Sequence, residues 1–176
     1  VGSEMCIRDR NGAILQSLSH GFMTALFFAL IGMIYGRTHT RDVTKMSGLL
    51  KVIPFISVMY VIAGLASLGL PGFSGFMAEM QIFVGAFQHP VMFHRVATII
   101  TVSAIVVTAV YILRVVGMML MGPIRNNEFM ELEKATWYEK TGVILLLIPI
   151  VFMGMTPIWL SDMIRESISP FIERMM

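Results

Sequence analysis

Hydrophobic residues fall into long blocks separated by short polar segments, a spacing that reads as membrane crossings. Spanning the hydrocarbon core takes about 20 apolar residues. Residues 11–36 carry no formal charge over 26 positions and are predicted as a first span, which holds His20. A polar loop follows from Arg37 through Asp42 and Lys45 to Lys51. Residues 52–88 are too long for one simple span and too short for two spans with a loop. One helix broken at Leu70-Pro71-Gly72 accounts for that length, because proline and glycine interrupt helices. A turn with His89-Pro90 and His94-Arg95 leads to a third span at 96–122, which contains Arg114, and a last span is predicted at 141–161. The expected fold class is therefore all-α transmembrane. In the tail, 162–176, Ile164, Ile168, Phe171, Ile172 and Met175 are spaced between charges. That pattern suits an interfacial amphipathic helix, interrupted at Pro170.

The first ten residues do not match this pattern. They carry four charges, lack the apolar core of a signal peptide, and stop abruptly at the first span. They resemble translated adapter sequence and are set aside as a non-native leader, the chain proper being expected to be cut short at its N-terminus.

Composition agrees with a membrane protein. The chain is 56% hydrophobic and 14% charged, against about 25% charged in a soluble domain. A net charge of +2 with no basic run excludes a nucleic-acid binder. The single Cys6 rules out an internal disulfide, and no Cys/His set has metal-ligand spacing. The 17 methionines read as flexible apolar filler. Basic residues also set an orientation. The loops after the first and third spans hold seven Lys/Arg and the opposite side three, leaving out the leader. The first set is therefore expected in the cytoplasm and the C-terminus outside.

Glu79 is the only acidic residue between Val52 and Gln88, seven positions beyond Gly72. A carboxylate inside a membrane is costly and by default marks an ion or proton path. A carboxyl in a low dielectric favours its neutral form, so it can exchange protons nearer neutral pH. The alternative is a static ion pair with a neighbouring helix. His20 lies well inside the first span and can toggle near physiological pH, or can serve packing alone. Its neighbours Ser17, Ser19, Gly21 and Thr24 suit either a wet path or a tight helix interface. Arg114 is the third candidate. It can snorkel to the interface from its place near the end of its span, or pair with a carboxylate in the path. A metal at His89 and His94 is disfavoured because Pro90 interrupts any shared helix face.

Two segments carry a family resemblance. Gln16-Ser-Leu-Ser-His20-Gly, with Arg37-Thr-His39-Thr-Arg-Asp42 after it, resembles chain M of bacterial respiratory complex I, the counterpart of mitochondrial NADH dehydrogenase subunit 4. Ala66-Ser-Leu-Gly-Leu-Pro71-Gly-Phe-Ser-Gly-Phe-Met-Ala-Glu79 resembles a broken helix of the same chain. Related antiporter-like chains usually carry Pro-Pro in the break and Lys at the position of Glu79. Ala78 and Met80 stand where Gly and Phe are common in the family. The resemblance implies that 11–161 is the C-terminal part of an antiporter-like bundle of fourteen helices, its last four. It implies a proton-translocating, non-redox subunit of NADH:quinone oxidoreductase, inactive alone. Glu79 would be the terminal protonatable carboxylate, with His20 on the hydrated path. NADH, FMN, iron–sulfur clusters and quinone would belong to other subunits, with no cofactor or metal on this chain. Partners would be the other membrane subunits of complex I and the lipid bilayer. The location would be the bacterial inner membrane, with the mitochondrial inner membrane as alternative. A related subunit of a Na⁺/H⁺ exchanger or membrane-bound hydrogenase is the rival reading.

Overall fold

Every regular element of the described residues is helical. The computed structural model describes residues 2–124, 126–156, 159, 162–164 and 166–167, with side-chain surroundings from residue 11 onward except at Asn127. In order these are α1 (Gly2–Thr38), α2 (Leu49–Val52), α3 (Pro54–Ser67), α4 (Ser74–Gln88), α5 (Met92–Leu120) and α6 (Trp137–Met155). Short 3₁₀ turns at Val43–Lys45 and Asn127–Glu131 lie in the two long loops. The backbone of residues 2–10, expected as a foreign leader, continues α1 without interruption. Of the expected tail helix, residues 162–164 and 166–167 are helical, and 168–176 lie outside the described residues.

Among the described residues three helices are long and apolar enough to cross a membrane: Asn11–Thr38, Met92–Leu120 and Trp137–Met155. The expected fourth crossing is α3 followed by α4, of 14 and 15 residues. At about 1.5 Å per residue neither half spans a core about 30 Å thick, whereas the two in series do. The interruption comes from backbone geometry. Gly69 and Gly72 take φ of +66° and +101°, in the left-handed region that favours glycine. Pro71 between them supplies no amide for helix continuation. Pro54 opens α3, where the missing N–H costs nothing.

α1 runs antiparallel along both halves of the broken crossing. Phe27 meets Tyr60 edge-on, with ring centroids 5.5 Å apart. Farther along, Ser19 bonds Ser74, and a Cβ on Gly12 would stand 2.9 Å from Ile82. The break also divides the core. A large cluster joins Leu26 and Leu30 of α1 with Ile53 and Ile56, Leu120 of α5 and Ile150 of α6. A smaller cluster, Leu15, Ala78, Met153 and Ile164, packs beyond the break. α5 crosses Gly64 of α3 through Ile112 but is otherwise mostly exposed. Its Thr101, Ser103 and Thr108 hydroxyls each donate to the carbonyl four residues back, satisfying themselves without a partner helix.

The two basic loops meet at one end, as the charge count requires. Ser47 Oγ donates to the Met121 and Pro123 carbonyls at 3.2 and 2.8 Å. The hydroxyl of Thr44, then its amide, hold the Asp42 carboxyl below the usual carboxylate range. At the same end Arg37 closes α1 onto α6. It makes a two-pronged ion pair with Glu139 at 3.1 and 2.7 Å. It also donates to the carbonyls of Met33, Glu133 and Lys134. Glu139 in turn caps its own helix through the Thr136 amide and hydroxyl. Arg37 therefore spends all five guanidinium donors on five acceptors.

Truncating Arg37 strands a capping carboxylate and three carbonyls. Arg37→Ala should cost about 2 kcal/mol, at the level of a lost charge-assisted hydrogen-bond set. The expected outcome is a lower melting temperature of the assembled full-length protein, measured by fluorescence-detected size exclusion after heating. An unchanged melting temperature would show that the clamp contributes nothing.

Candidate functional site

Glu79 sits in the second turn of α4, and its side chain folds back over the break. A Cβ built on Gly69 would stand 2.5 Å from Oε2 and 3.2 Å from the carboxyl carbon. Gly69 is thus required twice, for its positive φ and for the room it leaves the carboxylate. The side chain is half-buried, and among the described residues it makes no hydrogen bond and no ion pair. The static ion pair weighed from the sequence has no partner there.

Small groups hold the unwound segment on both sides. Ser19 of α1 and Ser74 at the start of α4, both fully buried, share a 2.6 Å hydrogen bond. A Cβ on Gly75 would lie 3.3 Å from the Ala66 carbonyl and 3.9 Å from Ser19 Oγ, so α3, α4 and α1 converge there. From the other side Gly154 of α6 lies directly on the Gly72 carbonyl, where any side chain would collide with backbone. Non-helical backbone at membrane depth is tolerated where it is buried in protein, and these contacts bury it.

His20 opens onto a cleft of about 350 Å³ between α1, α3 and α5. Thr24, Tyr60, Ser67 and Tyr111 supply its other polar groups, and Phe27, Ile112 and Val116 part of its apolar wall. Thr24 Oγ1 lies 3.4 Å from Nε2 and 3.5 Å from Nδ1, long contacts that leave the ring weakly held. Ser67 closes α3 two residues before Gly69, so the cleft ends beside the segment that Glu79 covers. The structure thus brings His20 and Glu79 to the same break from different helices. Arg114 it does not bring there. Its side chain is exposed on α5, outside the cleft lining, with no carboxylate partner among the described residues.

His89 and His94 meet across their turn with ring centroids 4.0 Å apart and planes tilted by 48°, although Pro90 separates them in sequence. His89 Nδ1 accepts from the Val91 amide, and no third ligand-type side chain joins the pair among the described residues. Three contributors were not singled out from the sequence: Gly69 against Glu79, Gly154 against the break, and Arg37 with Glu139. Of these only Gly69 carried a local signal, its place two residues before Pro71.

A methyl at Gly69 or Gly154 overpacks the break, a change that costs about 1–3 kcal/mol. Gly69→Ala and Gly154→Ala should each lower the yield of assembled full-length protein on native gels. Gly21→Ala, at a helical position with open space around it, should not. Equal yields from all three would remove the packing role.

The family model described as NADH:quinone oxidoreductase/Mrp antiporter, TM matches residues 3–108. NADH-quinone oxidoreductase subunit M of Rickettsia felis is 32% identical over 162 residues, covering 92% of this chain and 32% of that protein. NAD(P)H-quinone oxidoreductase chain 4 2 of a Synechococcus species is 34% identical, covering 92% of this chain and 31% of that one. The chain therefore spans about a third of the length of the curated relatives it matches. In structure it is similar to a chain of an archaeal respiratory complex, the membrane-bound sulfane sulfur reductase, with a TM-score of 0.73 and 25% identity over 84% of this chain and 24% of that chain. It also resembles a chain of respiratory complex I from Thermus thermophilus, with a TM-score of 0.67 and 19% identity over 92% of this chain and 36% of that chain. With a broken crossing, a carboxylate laid over the break and a family match across 3–108, this chain belongs to the NADH:quinone oxidoreductase/Mrp antiporter membrane family.

Proposed function

We propose that this chain is part of the proton-translocating membrane subunit of an NADH:quinone oxidoreductase, resident in the bacterial inner membrane. The observation that carries the reading is the Glu79 carboxylate, unpaired among the described residues and resting on Gly69 in the unwound segment. A group fixed in an ion pair is held in one protonation state, whereas this one is free to change. Protonation takes H⁺ onto a carboxylate oxygen and removes the negative charge, and release restores it. The His20 cleft, ending at the same segment, is the side from which that proton arrives. The redox chemistry takes place elsewhere: NADH, FMN, iron–sulfur clusters and quinone are held by other subunits, and this chain contributes the ion path. The other membrane subunits of the complex are its partners.

A related subunit of a cation/proton antiporter is the second reading. It is favoured by the likeness to a chain of the Mrp complex from a Dietzia species, at a TM-score of 0.75 and 16% identity over 88% of this chain and 36% of that chain. The sequence relatives favour the oxidoreductase.

Glu79→Gln keeps the shape of the side chain and removes its proton exchange. Within the full complex in inverted vesicles it should cut NADH-driven proton uptake per electron by roughly tenfold or more, and Glu79→Asp should keep a substantial part. His20→Ala should slow uptake without loss of assembly. Normal pumping by an assembled Gln variant would sink the proposal.

A further inference from the structure

The interface between α1 and α4 contains a polar atom that nothing in the fold so far explains. Gln16 Oε1 is shut off from solvent and accepts no hydrogen bond among the described residues. A buried carbonyl left unsatisfied is costly, so such an atom calls for a donor.

The register of the two helices says which donor. Gly12 and Ser19 are the close approaches of α1 to α4, at the Ala78 carbonyl and at Ser74 respectively. Gln16 lies between them, one turn from Gly12 and one turn from His20. The neighbouring Leu15 points the other way, packing with Ala78, Met153 and Ile164 on the α6 side. His20 faces Tyr60 and Ser67 of α3. Residues four apart on a helix share a face, so Gln16 also lies on the α3 side. On α4 the same side is marked by Gly75, which meets Ala66 and Gly69. One turn on from Gly75 is Glu79, whose carboxylate meets Gly69 as well. Small residues at 75 and 78 leave room between the helices at this level. An orphaned acceptor and a carboxyl without a described partner thus share one side of one interface.

We propose that Gln16 is a positioning residue for Glu79: its carboxamide, which has no bond to that carboxyl in this structure, takes up a hydrogen bond with it as the acid gains or loses its proton. A carboxamide suits both states of a titrating acid. Its carbonyl accepts from the protonated carboxyl, and after a turn of the amide its NH₂ donates to the carboxylate. The amide itself neither gains nor loses a proton. Asn11 Oδ1 is also buried without a partner, but it lies beyond Gly12, farther from the break. The assignment rests on the proton-exchange reading of Glu79, and its test separates the two.

The test uses the full-length chain in its complex, with Gln16→Met, Gln16→Asn and Glu79→Gln. Difference infrared spectra on acidification identify the Glu79 carboxyl C=O band as the one that Glu79→Gln abolishes. Gln16→Met, close in volume and without a carboxamide, should move that band to higher wavenumber and slow proton uptake several-fold. Gln16→Asn keeps the amide one methylene short and should give a smaller shift with partial uptake. A merely structural role for Gln16 would lower assembly and leave the band in place. An unmoved band in assembled Gln16→Met overturns the assignment even if pumping falls. If Gln16→Met does not assemble, the band of Gln16→Asn decides in the same way. Normal pumping by Glu79→Gln would instead sink the functional reading beneath it.

Discussion

The fold turns on one backbone contact, Gly154 of α6 laid against the Gly72 carbonyl. A helix interrupted inside a membrane frees amides and carbonyls that lipid cannot satisfy, each at a cost of several kcal/mol. The chain answers by packing protein against the gap from two directions. α6 closes one side with a glycine, and α1 closes the other with the buried Ser19–Ser74 hydrogen bond. Both closures demand small residues, because only they allow backbones to approach so nearly. The division of the core into a large and a small cluster follows from where that gap falls.

Two glutamates show how place decides the use of one residue type. Glu139 stands at the end of α6, where Arg37, Thr136 and its own helix start saturate it. It locks two helix ends and has no capacity left for exchange. Glu79 stands mid-crossing, with its carboxylate on a glycine and no described partner. An unpaired acid in that place is expensive, which is the physical ground for the proton exchange proposed for it. α1 and α6 are tied by Arg37 at one end and enclose the unwound segment at the other.

Much of this was legible along the chain. The uncharged blocks marked the crossings, and the excess length of 52–88 with Leu70-Pro71-Gly72 marked the break. Glu79 and His20 stood out because charge and imidazole are rare in such company. What Gly69 and Gly154 touch was not legible: the nearby Pro71 marked Gly69 as part of the break but not as the seat of the carboxylate, and Gly154, inside an apolar helix, carries no label for its neighbour. Arg37 and Glu139 read as loop charges fit only for topology, because their pairing joins positions 102 residues apart. Arg114 read as a candidate by its depth in a span, yet depth along a helix says nothing of which way the residue faces.

By itself the sequence determined that this chain crosses a membrane, where it breaks, and that a lone carboxyl follows the break. Those properties follow from local hydropathy and backbone chemistry, which neighbours in sequence decide. Only the tertiary structure decided that Glu79 folds onto Gly69, that the His20 cleft ends at the same segment, and that Gln16 Oε1 is left waiting for a donor. These depend on helix register and rotation, which are set by close packing between residues far apart in the chain.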